Sequence, residues 1–371
     1  MGSRKNIKIA NIQFILSILV VLIHSMTVFI NLPGSETQYI YGKNITTFIQ
    51  IFIGDGISRV AVPLFLILSG YLFYKNFDGS LSSYKYKLKR RFISLVIPYL
   101  FWSTVTFFAF YFAQKIPAIA PYFSTRKVGH LSLNVFIENV IINSYNSPLW
   151  FCRYLIAFTI LSVFFYYIAK RIPIILLVAT IYGWLIGFPG HLDIRMDALF
   201  FYSLGAVIAV HYNKWKKLFE CYVIWNENNR KKVIFSLFII WMILLVCRTV
   251  HYCAQSPEMM LNGTYDKFVL ITGNIGIIVG VPAFWGLYDL TFKETTKIWN
   301  LSAYSFLIFV CHHPLVNTLK KLIMKIIGVS EFTSILTYFA ASLISIGLII
   351  FAGWVTKKYF NRIWRFVSGG R

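Results

Sequence analysis

The chain of 371 residues is 58% hydrophobic and only 13% charged, with a mean hydropathy of +0.67. A soluble domain of this length could not bury so much apolar surface, so the composition excludes an ordinary soluble protein and indicates a membrane protein. The formal net charge of +23 is compatible with nucleic-acid binding or with membrane topology, and the position of the charges decides between them.

Ten apolar runs are long enough, or nearly so, to cross the hydrocarbon core as helices, which requires about 20 residues. They lie near residues 9–30, 56–74, 93–113, 149–168, 172–188, 196–212, 233–253, 268–288, 301–319 and 333–356. The fifth and sixth runs are short, and 131–143 is a candidate for an additional interfacial helix. The first run is too long for the apolar core of a typical signal peptide, so we interpret it as a retained span. The sequence thus predicts an all-α polytopic bundle of about ten spans, in a single membrane-embedded domain over residues 1–371 with no separate soluble domain.

The basic residues alternate with these runs. With the N-terminus in the cytoplasm, 24 Lys and Arg residues lie in cytoplasmic loops and nine in outer loops, while Arg59, Arg153 and Arg248 fall within or beside spans. This ratio agrees with the positive-inside rule and places both termini in the cytoplasm. Because the charge is divided among six short segments, no continuous basic face is formed. We therefore expect the lipid bilayer, and no nucleic acid, as a partner.

Ionisable side chains inside a span are costly and mark candidate functional positions. His24 lies in the outer half of the first run, ILSILVVLIHS, where a neutral imidazole suits a general base or an interfacial hydrogen bond to a neighbour. His312 and His313 end the run SAYSFLIFVCHHPLV. One of them could line the same cavity as His24, and the other could snorkel or cap the break before Pro314.

Two further motifs lie at the predicted cytoplasmic side. Ser69 and Gly70, followed by Tyr71 in VPLFLILSGYLFY, permit close helix packing or a break through which a thin ligand arm passes. The segment KYKLKRRFISLVIPYL then carries a dense cluster formed by Lys85, Lys87, Lys89, Arg90 and Arg91. These cations serve the positive-inside signal. They also suit a phosphate-rich cofactor presented from the cytosol, since guanidinium groups bind phosphate oxygens bidentately.

Another set of polar residues lies at the predicted outer rim. Its members are Trp150 and Arg153 in SPLWFCRYLIAF, with His191, Asp193, Arg195 and Asp197 in GHLDIRMDALFFYSLGA. Charges of both signs suit either a polar acceptor or a structural ion-pair network. The five cysteines contain no C-x-x-C pair, so neither a metal centre nor a disulfide framework is predicted.

In their order along the chain, these strings resemble the acyltransferase-3 family of bacterial membrane acyltransferases. The strongest pieces are the first run ending in His24, the string PLFLILSGY and the basic segment leading into IPY. SPLWFCRYL, FFYSLGAVIA and SFLIFVCHHPL add support. The resemblance implies transfer of an acyl group, usually acetyl, from cytosolic acyl-CoA to an acceptor that is often a cell-envelope glycan, at the bacterial cytoplasmic membrane. It also implies that His24 matches a catalytic histidine, and that Arg91, with Arg90 nearby, matches residues that engage the acyl donor.

The chain departs from the family pattern at several positions. Gln13 stands where many members have an arginine, and Leu66 replaces the second phenylalanine of the usual Phe-Phe-x-x-Ser-Gly. The Arg-x-x-Arg pair before the proline of the third run is not reproduced, although Lys87 and Arg90 have its spacing earlier in the chain.

Together these features predict an all-helical membrane acyltransferase. We expect the phosphates of acyl-CoA (acetyl-CoA) to bind Lys87, Arg90 and Arg91, and its pantetheine arm to enter between helices at the Ser-Gly-Tyr segment. His24 would then deprotonate an acceptor hydroxyl that reaches in from outside. Candidates on the acceptor side are Trp150, Arg153, Arg195, Asp197 and His312, and no metal is expected. Two alternatives stay open, a secondary transporter for an envelope glycan precursor and a non-catalytic subunit of an envelope-polymer pathway.

Overall fold

The computed structural model describes residues 2–32, 38–123, 127–187, 195–214, 227–261, 265–292 and 296–370. Within these residues the chain is helical except for loops and one β-pair, in which β1 (Phe29–Ile30) lies antiparallel to β2 (Gln38–Tyr39). The α-helices, in chain order, are α1 (Gly2–Ser25), α2 (Ile45–Gln50), α3 (Ala61–Tyr74), α4 (Leu81–Arg91), α5 (Ile97–Ala113), α6 (Leu133–Ile137), α7 (Trp150–Ile160), α8 (Ser162–Arg171), α9 (Pro173–Leu185), α10 (Met196–Val210), α11 (Glu227–Cys253), α12 (Pro257–Leu261), α13 (Lys267–Thr291), α14 (Thr296–Ser302), α15 (Ser305–Ile327), α16 (Glu331–Tyr359) and α17 (Asn361–Val367). Single π-helical turns occupy Ile51–Gly56, Phe92–Val96 and Glu138–Ile142, and 3-10 turns occupy Ile57–Val60, Ala120–Tyr122 and Ser147–Leu149. The all-α prediction is confirmed.

Six helical stretches of the described chain are long and apolar enough to cross a bilayer. They are Ile7–Ser25, Ile45–Tyr74, Leu81–Ala113, Glu227–Cys253, Lys267–Thr291 and Glu331–Tyr359. The protein is therefore a multi-pass membrane protein with the bilayer as its solvent. The other four predicted spans correspond to the bent pair α7 and α8, the short helices α9 and α10, and α15, whose sequence includes two histidines and three lysines. The total of ten, the cytoplasmic termini and the single-domain organisation stay predictions.

The second and third spans are much longer than the sequence predicted because additional helical turns precede their apolar runs. The second begins at Ile45 rather than near residue 56. The third begins at Leu81, so the basic segment forms the first turns of a helix that continues to Ala113. Ser80 caps this helix by accepting a hydrogen bond of 3.2 Å from the backbone nitrogen of Ser83. Lys, Arg and Leu are strong helix formers, so the helix extends well before the apolar run.

The fourth predicted span is not one straight helix. α7 and α8 meet at Leu161 with a bend of 72°, although neither proline nor glycine lies there. The carbonyl oxygens of Ile160 and Ser162, on either side of the bend, accept hydrogen bonds from the hydroxyls of Tyr84 (3.2 Å) and Tyr74 (3.0 Å). A bend in a membrane helix requires such partners for the carbonyl groups that it exposes. Packing against α3 and α4 therefore stabilises the bend.

α3 and α10 cross with their backbones in contact. A Cβ atom added to Gly70 would overlap the carbonyl oxygen of Tyr202, and one added to Gly205 would overlap the carbonyl oxygen of Ile67. Only glycine permits so close an approach on both helices. Close packing of the two helices therefore accounts for the glycine of the Ser-Gly-Tyr segment. The expected role of this segment in binding the acyl donor stays a prediction.

A buried ion pair joins the π-helical turn before α3 to α11. Arg248 Nη2 lies 2.5 Å from Asp55 Oδ2, and Arg59 Nε lies 2.6 Å from Asp55 Oδ1. The side chains of Arg248 and Asp55 are only 6% and 8% exposed. Two of the three arginines that the sequence placed in or beside spans therefore share one carboxylate. This carboxylate offsets much of the cost of burying Arg248, whereas the side chain of Arg59 is 46% exposed.

α1 is anchored along its length, and this fixes the position of His24 in its last turn. It packs against α3, α15 and α16. Near its start, Lys8 forms an ion pair with Asp289 on α13 and lies 4.4 Å from the centre of the Trp285 ring. Ile12, Leu16 and Val21 in the middle of the helix are fully buried.

Candidate active site

At the end of α1, His24 meets two histidines of α15. The ring centre of His24 lies 5.2 Å from that of His312 and 4.9 Å from that of His313. His312 is completely buried, whereas the other two rings are half-buried. The structure thus brings together three residues that the sequence had singled out in distant segments. We refer to them as the histidine cluster.

Hydrogen bonds define the protonation of two members of the cluster. Nδ1 of His312 lies 3.0 Å from the carbonyl oxygen of Ile308 and 2.8 Å from that of Phe309. Carbonyl oxygens only accept, so Nδ1 carries a proton, and Nε2 is an acceptor when the ring is neutral. The side-chain nitrogen of Asn317 donates to Nε2 of His313 at 3.1 Å, which leaves the proton of that ring on Nδ1.

The remaining nitrogen of each ring has unused hydrogen-bonding capacity. Nε2 of His312 and Nδ1 of His313 are buried and have no hydrogen-bond partner within the described part of the chain. Buried polar atoms are normally paired, and unpaired ones point to a function such as proton exchange. The same part of the chain contains no group of three His, Cys, Asp or Glu side chains arranged to hold a metal ion.

Lys320 fixes the end of α1 beside the cluster. Its ammonium group donates to the carbonyl oxygens of His24 (3.1 Å) and Met26 (3.2 Å). The last carbonyls of a helix lack intrahelical partners, and a cation at this end interacts favourably with the helix dipole. Sequence reasoning missed this lysine and Asn317. Asn317 lies four positions and Lys320 seven positions after His313, which places all three on one face of a helix. This spacing is the signal that could have identified them.

This face of α15 lines a cavity of about 1020 Å³. The size lies at the upper end of the range usual for small-molecule sites, about 300–1,000 Å³. Trp150 and Arg153, two of the predicted acceptor-side residues, also line it. His24 does not line the cavity and is linked to it by its contact with His313.

The other predicted acceptor-side residues lie outside this lining. The guanidinium group of Arg195 lies 4.2 Å from the centre of the Trp150 ring and forms an ion pair of 2.6 Å with Asp197. These two residues therefore support a wall of the cavity through Trp150. His312 does not line the cavity, and its ring centre lies 6.4 Å from that of His313, which does. The remaining members of the outer-rim group, His191 and Asp193, lie outside the described residues.

The predicted donor residues Lys87, Arg90 and Arg91 form a basic rim on α4. Lys87 donates to the carbonyl oxygen of Phe73 at 2.7 Å, and the Arg91 guanidinium lies 5.6 Å from the Phe73 ring centre. Arg90 is exposed and donates to the hydroxyl of Tyr86 at 3.2 Å. None of the three forms an ion pair with a carboxylate of the described residues, so each can still bind an anion.

The basic rim and the histidine cluster lie at opposite ends of the bundle. Gly54 packs against Met26 just beyond the end of α1, and about 20 helical residues separate it from Tyr74, which precedes the rim. At about 1.5 Å per residue, this separation is about 30 Å, which is the thickness of the hydrocarbon core. The cavity lining contains none of Lys87, Arg90, Arg91, Ser69, Gly70 and Tyr71.

Comparison with known proteins identifies the family. Residues 6–354 match the acyltransferase domain family known as acyltransferase-3. The chain is 22% identical over 370 residues to the succinoglycan biosynthesis protein ExoH of Rhizobium meliloti (strain 1021), and the alignment covers 98% of this chain and 93% of that protein. No solved structure matches the chain. The match covers nearly the whole chain, including the histidine cluster, the basic rim and the residues of the cavity. The protein therefore belongs to the acyltransferase-3 family and is a membrane acyltransferase.

Proposed function

We propose that the protein transfers an acyl group, foremost acetyl, from cytosolic acyl-CoA to a hydroxyl of a cell-envelope glycan at the bacterial cytoplasmic membrane. The observation that carries this proposal is the histidine cluster beside a cavity large enough for sugar rings. A glycan acceptor is supported by the relative whose name refers to succinoglycan biosynthesis. Family membership favours transfer over the transporter and assembly-subunit alternatives.

In this proposal His24 is the general base. Its neutral imidazole takes the proton of the acceptor hydroxyl while the hydroxyl oxygen attacks the thioester carbonyl carbon. A C–O bond forms, the C–S bond breaks, and the proton passes from His24 to the departing sulfur of CoA. His313 contacts both His24 and the cavity, so it connects the base with the acceptor. His312, held by two carbonyl groups, packs behind them and orients the cluster.

Lys320 supplies positive charge for the oxyanion that develops on the thioester carbonyl. An ammonium group has three donor hydrogens, and two of them are used by the carbonyls of His24 and Met26. The third remains for the reacting oxygen. A donor that is already fixed in place stabilises developing charge without reorganisation, which makes this type of interaction effective.

The donor phosphates bind the basic rim, where cations without carboxylate partners suit phosphate oxygens. Acyl-CoA approaches from the cytosol, and the positive-inside pattern assigns the rim to that side. Because the rim and the cluster are about 30 Å apart, the pantetheine arm has to enter deeply between the helices. The acceptor then reaches the cluster from the opposite side through the cavity.

The test is transfer of labelled acetyl from acetyl-CoA to a panel of envelope saccharides by the purified protein in lipid nanodiscs. We expect His24→Ala to reduce turnover about 100- to 10,000-fold, which is the usual contribution of a positioned base. His130→Ala is the matched control, because His130 is exposed and lies outside the cluster. Full turnover by a folded His24→Ala protein, or failure of the wild-type protein to label any saccharide of the panel, would contradict the proposal.

A further inference from the structure

The cavity beside the histidine cluster carries a concentration of positive charge. Its cationic lining residues are Arg153, Lys320, Lys321 and Lys325. No Asp or Glu is present among the described residues that line it. This composition distinguishes the cavity from an ordinary polar cleft, in which charges of both signs are mixed.

The contacts of these cations are with neutral groups. Lys321 donates to the carbonyl oxygen of Tyr122 at 3.2 Å, and Lys325 lies 5.4 Å from the centre of the Tyr122 ring. Arg153 donates to the carbonyl oxygen of Ile142 and lies 3.4 Å from the side-chain oxygen of Asn143. Such contacts orient the cations without neutralising them, so their charge remains directed at whatever occupies the cavity.

Membrane topology does not explain this group. The positive-inside rule disfavours cations at the outer end, where the sequence places these residues. Moreover, Lys321 and Lys325 occupy successive turns of α15, and like charges at that spacing repel each other. A cluster that opposes both the topology signal and its own stability requires a compensating partner, and an anion in the cavity supplies one.

We propose that the cavity binds an anionic saccharide acceptor, a sugar that bears a carboxylate or phosphate group. Lys321, Lys325 and Arg153 bind the negative group, while a hydroxyl of the same or a neighbouring sugar passes His313 and approaches His24. Trp150 and Tyr122 contribute amphipathic rings to the lining and suit the sugar body. This inference rests on the proposed function and adds the substrate class to it.

The first experiment measures saccharide binding in the absence of acyl-CoA, with the full protein in phosphatidylcholine nanodiscs. Three oligosaccharides with the same backbone are compared, one neutral, one bearing a carboxylate and one bearing a phosphate. We expect at least one anionic form to bind about tenfold more tightly than the neutral form, which corresponds to one charge-assisted contact. This preference should decrease as salt is added. Equal binding of all three forms would overturn the inference.

Variants then locate the preference. Lys321→Gln and Lys325→Gln should each reduce this tenfold preference for the anionic form and leave neutral binding unchanged. Lys43→Gln is the control, because Lys43 is exposed and does not line the cavity. If both lysine variants keep the full preference for the anionic saccharide, the proposal is overturned. It is also overturned if the wild-type protein loses this preference in nanodiscs that contain anionic lipid, because the cations would then bind lipid headgroups. Because binding is measured without turnover, a failure of acyl transfer remains distinguishable from a failure of acceptor binding.

Discussion

Replacement of Gly70 by alanine tests the crossing of α3 and α10 directly. The new Cβ atom would overlap the carbonyl oxygen of Tyr202 and lie 3.1 Å from the backbone nitrogen of Ala206. Both are backbone atoms in the middle of a helix and cannot move away as the end of a flexible side chain can. The two helices therefore have to separate or slide, and side chains packed along the contact lose van der Waals contact.

Two opposing effects determine how much Gly70→Ala changes the free energy of unfolding. Overpacking of a tight contact costs about 1–3 kcal/mol. Alanine is favoured over glycine within a helix by up to about 1 kcal/mol. With the full helix-forming gain subtracted, Gly70→Ala should lower the free energy of unfolding by up to about 2 kcal/mol. Gly347→Ala on α16 is the matched control, since a Cβ atom there meets nothing within 4 Å and only the helix-forming gain applies. The same chemical change is thus expected to have opposite signs at the two positions.

Unfolding by SDS titration of both variants, at fixed detergent and protein concentration, measures this difference. The KM for acyl-CoA is determined on the same preparations, because the sequence also indicated this segment as an entry for the pantetheine arm. A Gly70→Ala protein as stable as the Gly347→Ala protein would refute the crossing. Unchanged stability together with a raised KM for acyl-CoA would instead assign Gly70 to the donor route.

Two further predictions concern cations on either side of the site. Arg91→Gln should raise the KM for acyl-CoA about tenfold without affecting saccharide binding, because a charge-assisted phosphate contact is lost, and Lys75→Gln is the exposed control. Equal CoA affinity in wild type and Arg91→Gln would contradict the donor assignment. At the buried pair, Asp55→Asn should lower the free energy of unfolding more than Arg248→Met does. Asp55→Asn leaves the buried Arg248 without a carboxylate partner, whereas Arg248→Met leaves Asp55 paired with Arg59. Loss of one partner of a buried pair costs about 3–5 kcal/mol, and the opposite order in SDS titration would disprove this account.

The helices could be predicted from hydropathy where apolar residues form them, and less well where polar residues do. The basic turns from Leu81 were assigned to a loop, because an apolar window does not register the helix-forming tendency of Lys and Arg. The bend at Leu161 has no local signal. It depends on hydroxyl groups of Tyr74 and Tyr84 that come from other helices, so only the tertiary structure shows it.

Single residues of the site could be predicted from the sequence, but the contacts between them could not. An imidazole inside a span is conspicuous, so the sequence identifies His24 and the pair His312 and His313, but it favours His312 on the acceptor side, whereas His313 lines the cavity. Their contact depends on the packing of α1 against α15, and His24 and Lys320 are 296 positions apart. No periodicity within one segment encodes such a separation. The cavity combines residues from β1, the turn at Ala120–Tyr122, α7 and α15, so its charge could not be recognised before these segments were brought together.

The placement of acidic residues separates structural cations from those directed at ligands. The chain has 36 Lys and Arg but only 13 Asp and Glu, so most cations cannot have a carboxylate partner. Three aspartates pair with cations that hold structure together, Asp289 with Lys8, Asp55 with Arg248 and Asp197 with Arg195. In contrast, the basic rim and the cavity contain cations with no carboxylate partner among the described residues. The basic rim lies about 30 Å from the histidine cluster, and the cavity lies beside this cluster. The arrangement suits a reaction in which the phosphates of the donor and the anionic group of the acceptor bind at opposite faces of the membrane.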